Sequence, residues 1–162
     1  MNIRVAALVC ALVLVPLRVS AETKKDIPTQ ADEIENQAVA LIDQRHLDEG
    51  LALMLKAIDL DPSAQRYMNY GSVLFGNGVS AYKSGDKEEG KRILMQAQTA
   101  LKKAILTFDA NKDAMPLSQC YFLLGEIASH ALADPQKAKD YYQKSTALYD
   151  NPSAKTALDN LK

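Results

Sequence analysis

The sequence of 162 residues contains no tryptophan and two cysteines, Cys10 and Cys120, and its net charge is −1. Without an excess of positive charge, it lacks the electrostatic footprint of a nucleic-acid-binding protein. Valine is scarce after residue 21, and no segment after residue 28 alternates apolar with polar residues, which argues against a sheet. Because 48% of the residues are hydrophobic and 24% are charged, the chain can bury a core and is not a disordered tail.

The first 21 residues differ in composition from the rest of the chain. Arg4 gives a basic start, residues 5–17 are apolar apart from Pro16, and Val19-Ser20-Ala21 supplies small residues. This order predicts a secretory signal peptide over residues 1–21, cleaved after Ala21. A membrane anchor is the alternative, but an apolar helix of this length spans about 20 Å against a hydrocarbon core of roughly 30 Å.

Removing the signal peptide leaves a mature chain that we expect to be exported to the periplasm or secreted, without a transmembrane anchor. Loss of Arg4 and Arg18 lowers the basic residues from 19 to 17 against 20 acidic ones, a net charge of −3. Nucleic acid is therefore not an expected partner. The one remaining cysteine, Cys120, excludes an internal disulfide, and its apolar neighbours 121–124 predict a buried thiol.

Apolar residues recur with helical spacing through the mature chain. Residues 22–29 are interpreted as a flexible lead-in and residues 30–162 as one all-α domain. Start and stop signals separate the helices: Asp61-Pro62, Gly85, Asp134-Pro135 and Asn151-Pro152. They predict seven helices, at about residues 30–44, 48–60, 64–83, 86–108, 116–132, 135–148 and 152–161.

Small residues recur at a period near 40 in the segments 38–62, 78–101 and 125–152. Each segment has one in its first helix and others in its second helix. Such residues let antiparallel helices approach to about 8–10 Å. The predicted repeat-packing residues are Ala38, Gly50, Ala57, Gly78, Gly90, Ala97, Gly125 and Ala138.

These repeats resemble the tetratricopeptide repeat family, most typically in "AYKSGDKEEG" (81–90) and "LKAIDLDP" (55–62). The resemblance implies a helical array of three hairpins plus a C-terminal capping helix. Three departures from the family pattern are visible. The usual tryptophan is replaced by Ile34, Leu74 or Tyr121, the fourth helix overshoots by about two turns, and the third repeat has an extra residue before Ala138.

Residues 76–81 have the G-x-G-x-x-A spacing of a dinucleotide-binding turn. That turn needs flanking strands and an acidic residue about 20 positions later, whereas residues 96–98 lie in a predicted helix. Gly78 also occupies a small position of the repeat, so we interpret these glycines as packing residues. His46 and His130 have no partner at metal-binding spacing, and no nucleophile turn is evident. We therefore expect no cofactor, no metal and no enzymatic activity.

Seven tyrosines against three phenylalanines indicate either core packing or a binding surface. Tyr82, Tyr121 and Tyr142 are predicted core residues. For Tyr67 and Tyr70 the sequence leaves both the core and the binding surface open. By the resemblance, first helices line the concave face of the array. The predicted partner-binding groove consists of Arg66, Tyr67, Asn69, Tyr70 and Asn77.

The predicted function is that of a non-catalytic adaptor or scaffold of the cell envelope, binding a segment of another protein. Two alternatives stay open. One is a helical carrier of a small apolar ligand, held between the fourth helix and its neighbours. The other is a self-assembling scaffold, a homo-oligomer formed through the apolar end of that helix.

Overall fold

The computed structural model describes residues 23–161, which form seven α-helices and one π-helical turn, with no strand in that range. The predicted all-α fold is confirmed, and the predicted signal peptide, residues 1–21, lies outside the described residues. The helices are α1 (Thr23–Asp43), α2 (Leu47–Leu60), α3 (Ala64–Lys83), α4 (Lys87–Thr107), α5 (Ala114–Glu126), α6 (Pro135–Leu148) and α7 (Pro152–Asn160), with the π turn at Ile127–Ala131.

The helices pack as three consecutive hairpins, α1/α2, α3/α4 and α5/α6, and α7 covers the end of the array against α6. The main core lies where α3 and α4 meet α5, around Leu74, Leu94, Leu101 and Leu124. A smaller cluster centred on Tyr142 joins α6 to α7. The two helices of each hairpin pack against each other, and contacts of α2 with α3 and of α3 and α4 with α5 join successive hairpins, as a stacked repeat requires.

Helix α1 begins at Thr23, so residues 23–29 of the predicted lead-in are helical. Pro28 lies inside this helix. Its ring removes one N–H donor and is tolerated best near a helix N-terminus, where few hydrogen bonds are lost. The first helix was predicted to begin at about residue 30, because Pro28 was interpreted as part of the lead-in.

The extra residue of the third repeat lies in a π-helical turn. There the N–H of Leu132 donates to the carbonyl of Ile127 at 3.2 Å, and that of Asp134 donates to the carbonyl of Ala128 at 2.9 Å. A π turn accommodates one residue more than an α turn. Ala138 consequently keeps its place at the helix crossing, where it is fully buried.

Each hairpin turns at a residue in the left-handed region of backbone space. The predicted Gly85 has φ 105°, and Arg45 and Ala133 hold the equivalent positions with φ 70° and 50°. Left-handed backbone is the usual way to end a helix, and glycine adopts it at the lowest cost. Two of the three hairpins therefore turn at a non-glycine residue. Arg45 lies in the turn that the sequence predicts at residues 44–46, but its left-handed backbone was not predicted.

The eight small repeat positions are all buried. Gly90 marks the tightest approach of two backbones: a Cβ atom there would lie 2.6 Å from the backbone nitrogen of Tyr82 and 2.8 Å from the carbonyl oxygen of Gly78. By contrast, a Cβ on Gly76 would meet no atom within 4 Å. Only glycine fits where α4 crosses α3, whereas Gly76 faces open space.

Cys120 is fully buried in α5, and burial raises the pKa of its thiol to about 12. We expect the folded protein prepared without residues 1–21, in which Cys120 is the only cysteine, to resist Ellman's reagent at pH 8 and to react completely in urea, since the thiolate is the nucleophile. The raised pKa stabilises the fold below the ordinary thiol pKa of about 8.5, and this contribution is lost as pH rises towards 12. Rapid labelling of the native protein would contradict this prediction.

Candidate functional site

Arg66, the first predicted groove residue, is a buried structural residue. It is 6% exposed, and its guanidinium reaches three carboxylates, two on α1 and one just after α2. NH1 donates to Asp61 Oδ2 at 2.5 Å, NH2 pairs with Asp32, and Nε lies 3.4 Å from Glu35 Oε2. A guanidinium held in this way joins α3 to α1 and to the end of α2, so Arg66 is not available to a partner.

The other four predicted groove residues point in different directions. Asn69 donates to Glu35 Oε1 on α1 at 2.6 Å, whereas Tyr67 lies under Lys103 of α4, with Nζ 5.3 Å from the ring centroid. Tyr70 packs against the core, and burial raises its pKa. Asn77 is half-buried. The structure therefore does not collect the five residues on one surface.

The tyrosines predicted for the core differ in burial. Tyr142 is 2% exposed, whereas Tyr82 and Tyr121 are half-buried. Tyr121 lies 6.3 Å from Tyr141 between ring centroids, and Tyr82 lines a cavity. Tyr82 therefore contributes to a surface feature that the sequence analysis did not assign to it.

A groove runs along the first helix of successive hairpins, on another face of α3. One cavity of about 500 Å³ is bounded by α3 and by the third hairpin; it is lined by Phe75, Val79, Tyr82, Lys83, Leu94, Glu126 and His130. A second, of about 470 Å³, lies between α5 and α7 and is lined mainly by Phe122, Glu126, Ser129, His130, Tyr142, Ala157 and Leu161. Because Glu126 and His130 line both cavities, they form one continuous surface, called here the α3–α7 groove.

Glu126 occupies the middle of the α3–α7 groove in a fixed orientation. The hydroxyl of Tyr142 donates to Glu126 Oε1 at 2.6 Å, and His130 Nε2 lies 3.6 Å from Oε2. Burial and the hydrogen bond to Glu126 both raise the pKa of Tyr142, so its hydroxyl remains a donor. The Glu126 side chain is 24% exposed, which leaves it accessible from the groove.

Comparison with known proteins identifies the fold and one matching repeat. The tetratricopeptide repeat profile matches residues 118–152, which run from α5 through the π turn to the start of α7. The fold is similar to the N-terminal domain of stress-induced protein-1 (STI-1) from C. elegans, with a TM-score of 0.64 and 16% identity over 83% of this chain and 96% of that one. The fold is also similar to the Arabidopsis OM64 TPR domain, with a TM-score of 0.62 and 16% identity over 84% of this chain and 97% of that one.

The chain has the tetratricopeptide-repeat fold. No curated protein is significantly similar to it in sequence. Within residues 23–161, no helix is both long and apolar enough to span a membrane. In the same range, no three His, Cys, Asp or Glu side chains are grouped so as to hold a metal ion.

The residues lining the α3–α7 groove could have been found from the repeats themselves. Phe75 and Phe122 each stand three residues before a small repeat position, and Val79 and Glu126 directly follow one. Residues four apart share a helix face, so these positions line the groove in successive repeats. The predicted groove residues were chosen from the tyrosines instead. Among them, Asn69 contacts α1 and Tyr70 packs against the core.

Proposed function

We propose that this protein binds a segment of another protein in the α3–α7 groove and catalyses no reaction. Tetratricopeptide-repeat domains generally mediate protein–protein interactions, and the fold is typically a non-catalytic module. The observation that carries the proposal is the continuity of the groove across α3, α5 and α7, with apolar side chains on both sides of one oriented carboxylate. Aromatic and aliphatic side chains around a few polar groups are the usual composition of a peptide-binding surface.

The proposed location is the bacterial cell envelope, where the protein would act as an adaptor after export. This part of the proposal rests on the basic start, apolar run and small residues of positions 1–21. Mass spectrometry of the protein recovered from the periplasmic fraction should give a mature chain that begins at Glu22. A chain that retains residues 1–21 and stays in the cytoplasm would contradict export.

Photocrosslinking can test whether the groove is the contact surface. Replacing Phe75 by p-benzoylphenylalanine puts a reactive aromatic group of similar shape on the groove wall, and the same replacement of Tyr149, which is 49% exposed outside the groove, is the matched control. We expect one defined adduct from position 75, none from position 149, and loss of the adduct when Val79→Asp is added. Equal labelling from both positions would contradict the proposal.

The self-assembling scaffold is a second candidate, because the end of α4 exposes apolar side chains. Leu106 is 86% exposed, and Met115, just beyond the following turn, is 59% exposed. Sedimentation at several concentrations would detect association, and a strict monomer would remove this candidate. A small apolar ligand in the first cavity is the remaining alternative, and solvent extraction of the purified protein followed by mass spectrometry would reveal it.

A further inference from the structure

We propose that the α3–α7 groove selects a protein segment carrying a basic side chain, lysine or arginine, with apolar side chains on both sides of it. This inference rests on the proposed function and adds the chemistry of the partner. It follows from the position of Glu126 between two cavities that each carry apolar side chains on their walls.

The carboxylate of Glu126 is the acidic group shared by both cavities, and it is held ready for a cation. Tyr142 donates to one carboxylate oxygen at 2.6 Å and fixes its direction. The other oxygen faces the exposed His130, whose Nε2 is 3.6 Å away, beyond hydrogen-bonding distance. An ammonium or guanidinium group entering the groove can therefore bind Oε2 without displacing an existing hydrogen bond.

Besides Glu126, His130 and Tyr142, the polar residues that line the two cavities are Tyr82, Lys83, Ser129, Ser153, Thr156 and Asn160. Lys83, on α3, lines only the first cavity and is exposed, so water and salt screen its repulsion of an incoming cation. Tyr82 on α3 and Ser129 beside His130 are uncharged hydroxyl groups. An acidic segment would instead bring a second carboxylate next to Glu126 in a partly desolvated groove, which is unfavourable.

The apolar flanks of the segment are set by the two cavities. Phe75, Val79 and Leu94 provide the apolar wall on one side of Glu126. Phe122, Ala157 and Leu161 provide it on the other side. Each cavity is large enough for an aliphatic or aromatic side chain, and removal of those side chains from water supplies affinity while Glu126 supplies selectivity.

A displayed library of random 12-residue peptides, selected on the mature protein, tests this inference. Four forms are compared: the wild type, Glu126→Gln, Glu126→Lys and the matched control Glu33→Gln. Glutamine at position 126 keeps an oxygen that can accept from Tyr142 and removes only the charge. Glu33 is exposed on α1 and does not line the groove.

We expect the peptides selected on the wild type to share a lysine or arginine between apolar residues. A synthetic representative should bind about tenfold more weakly to Glu126→Gln, as for loss of one charge-assisted hydrogen bond, and within about twofold to Glu33→Gln. Selection on Glu126→Lys should enrich acidic peptides instead.

Two results would overturn the inference, and they differ in what they imply for the proposed function. If the selected peptides depend on the groove, losing affinity with Val79→Asp, but show no basic preference or bind Glu126→Gln unchanged, the inference fails and the proposed function stands. If no selected peptide depends on the groove, both fail.

Discussion

Replacing Gly90 by alanine is expected to lower the free energy of unfolding by about 2 kcal/mol, although alanine is the better helix former. The new Cβ would lie 2.6 Å from the Tyr82 backbone nitrogen and 2.8 Å from its Cα. Both are backbone atoms of a packed helix, so relief requires α3 and α4 to move apart along their whole contact. Overpacking of this kind costs about 3 kcal/mol, and helix propensity returns about 1 kcal/mol at most.

The control is Gly76→Ala, the same substitution inside α3 at a position where the new Cβ meets no atom within 4 Å. At position 76 only helix propensity changes, and we expect the free energy of unfolding to rise by about 1 kcal/mol. Urea unfolding followed by circular dichroism measures both variants, with the slope m unchanged. If Gly90→Ala were as stable as the wild type, the close backbone approach at the α3/α4 crossing would be wrong.

Replacing Arg66 by methionine is expected to lower the free energy of unfolding by about 3 kcal/mol. The substitution removes a buried positive charge and leaves its partner carboxylates without a counter-ion. The Arg66 side chain is 7% exposed, and its partner Glu35 is 16% exposed. Asp32 is 67% exposed, so water solvates its carboxylate when Arg66 is removed. The loss of stability is therefore smaller than for a fully buried cluster. Arg66→Lys should lie between the wild type and Arg66→Met, since lysine keeps the charge but lacks the fork of donors.

Arg92→Met is the matched control for a surface ion pair. Arg92 donates to Glu89 on the same helix at 2.5 Å, but the two side chains are 59% and 41% exposed. Such exposed pairs contribute little to stability, because water and salt screen their attraction. The same urea titration measures both variants, and equal losses at positions 66 and 92 would show that the Arg66 cluster does not join α1, α2 and α3.

The positions of the helices were predictable because their signals are local. Ser63, Asp86, Asp134 and Asn151 each accept a hydrogen bond from the backbone three residues on and begin a helix where the sequence indicated. Proline and glycine ended the helices for similarly local reasons. The start of α1 was predicted too late, because proline can either precede a helix or lie within one. Only the structure shows that Pro28 lies within α1.

The candidate site was less predictable, because it depends on which face of a helix meets which neighbour. Arg66 and Tyr67 are adjacent in sequence, yet one reaches carboxylates of α1 and α2 and the other lies under Lys103 of α4. Helical periodicity separates faces but does not say which face is covered. The predicted groove and the α3–α7 groove therefore involve different faces of α3.

By itself the sequence determined that this chain is a stack of helix hairpins, because its caps, turns and small crossing residues act over a few positions. Only the tertiary structure decided where a partner could bind, since the α3–α7 groove joins residues of α3 and α5 that lie some fifty positions apart. The same holds for the left-handed turns at Arg45 and Ala133 and for the π turn, which exist because the packed hairpins fix the backbone there. Distant contacts of this kind leave no local pattern in the chain.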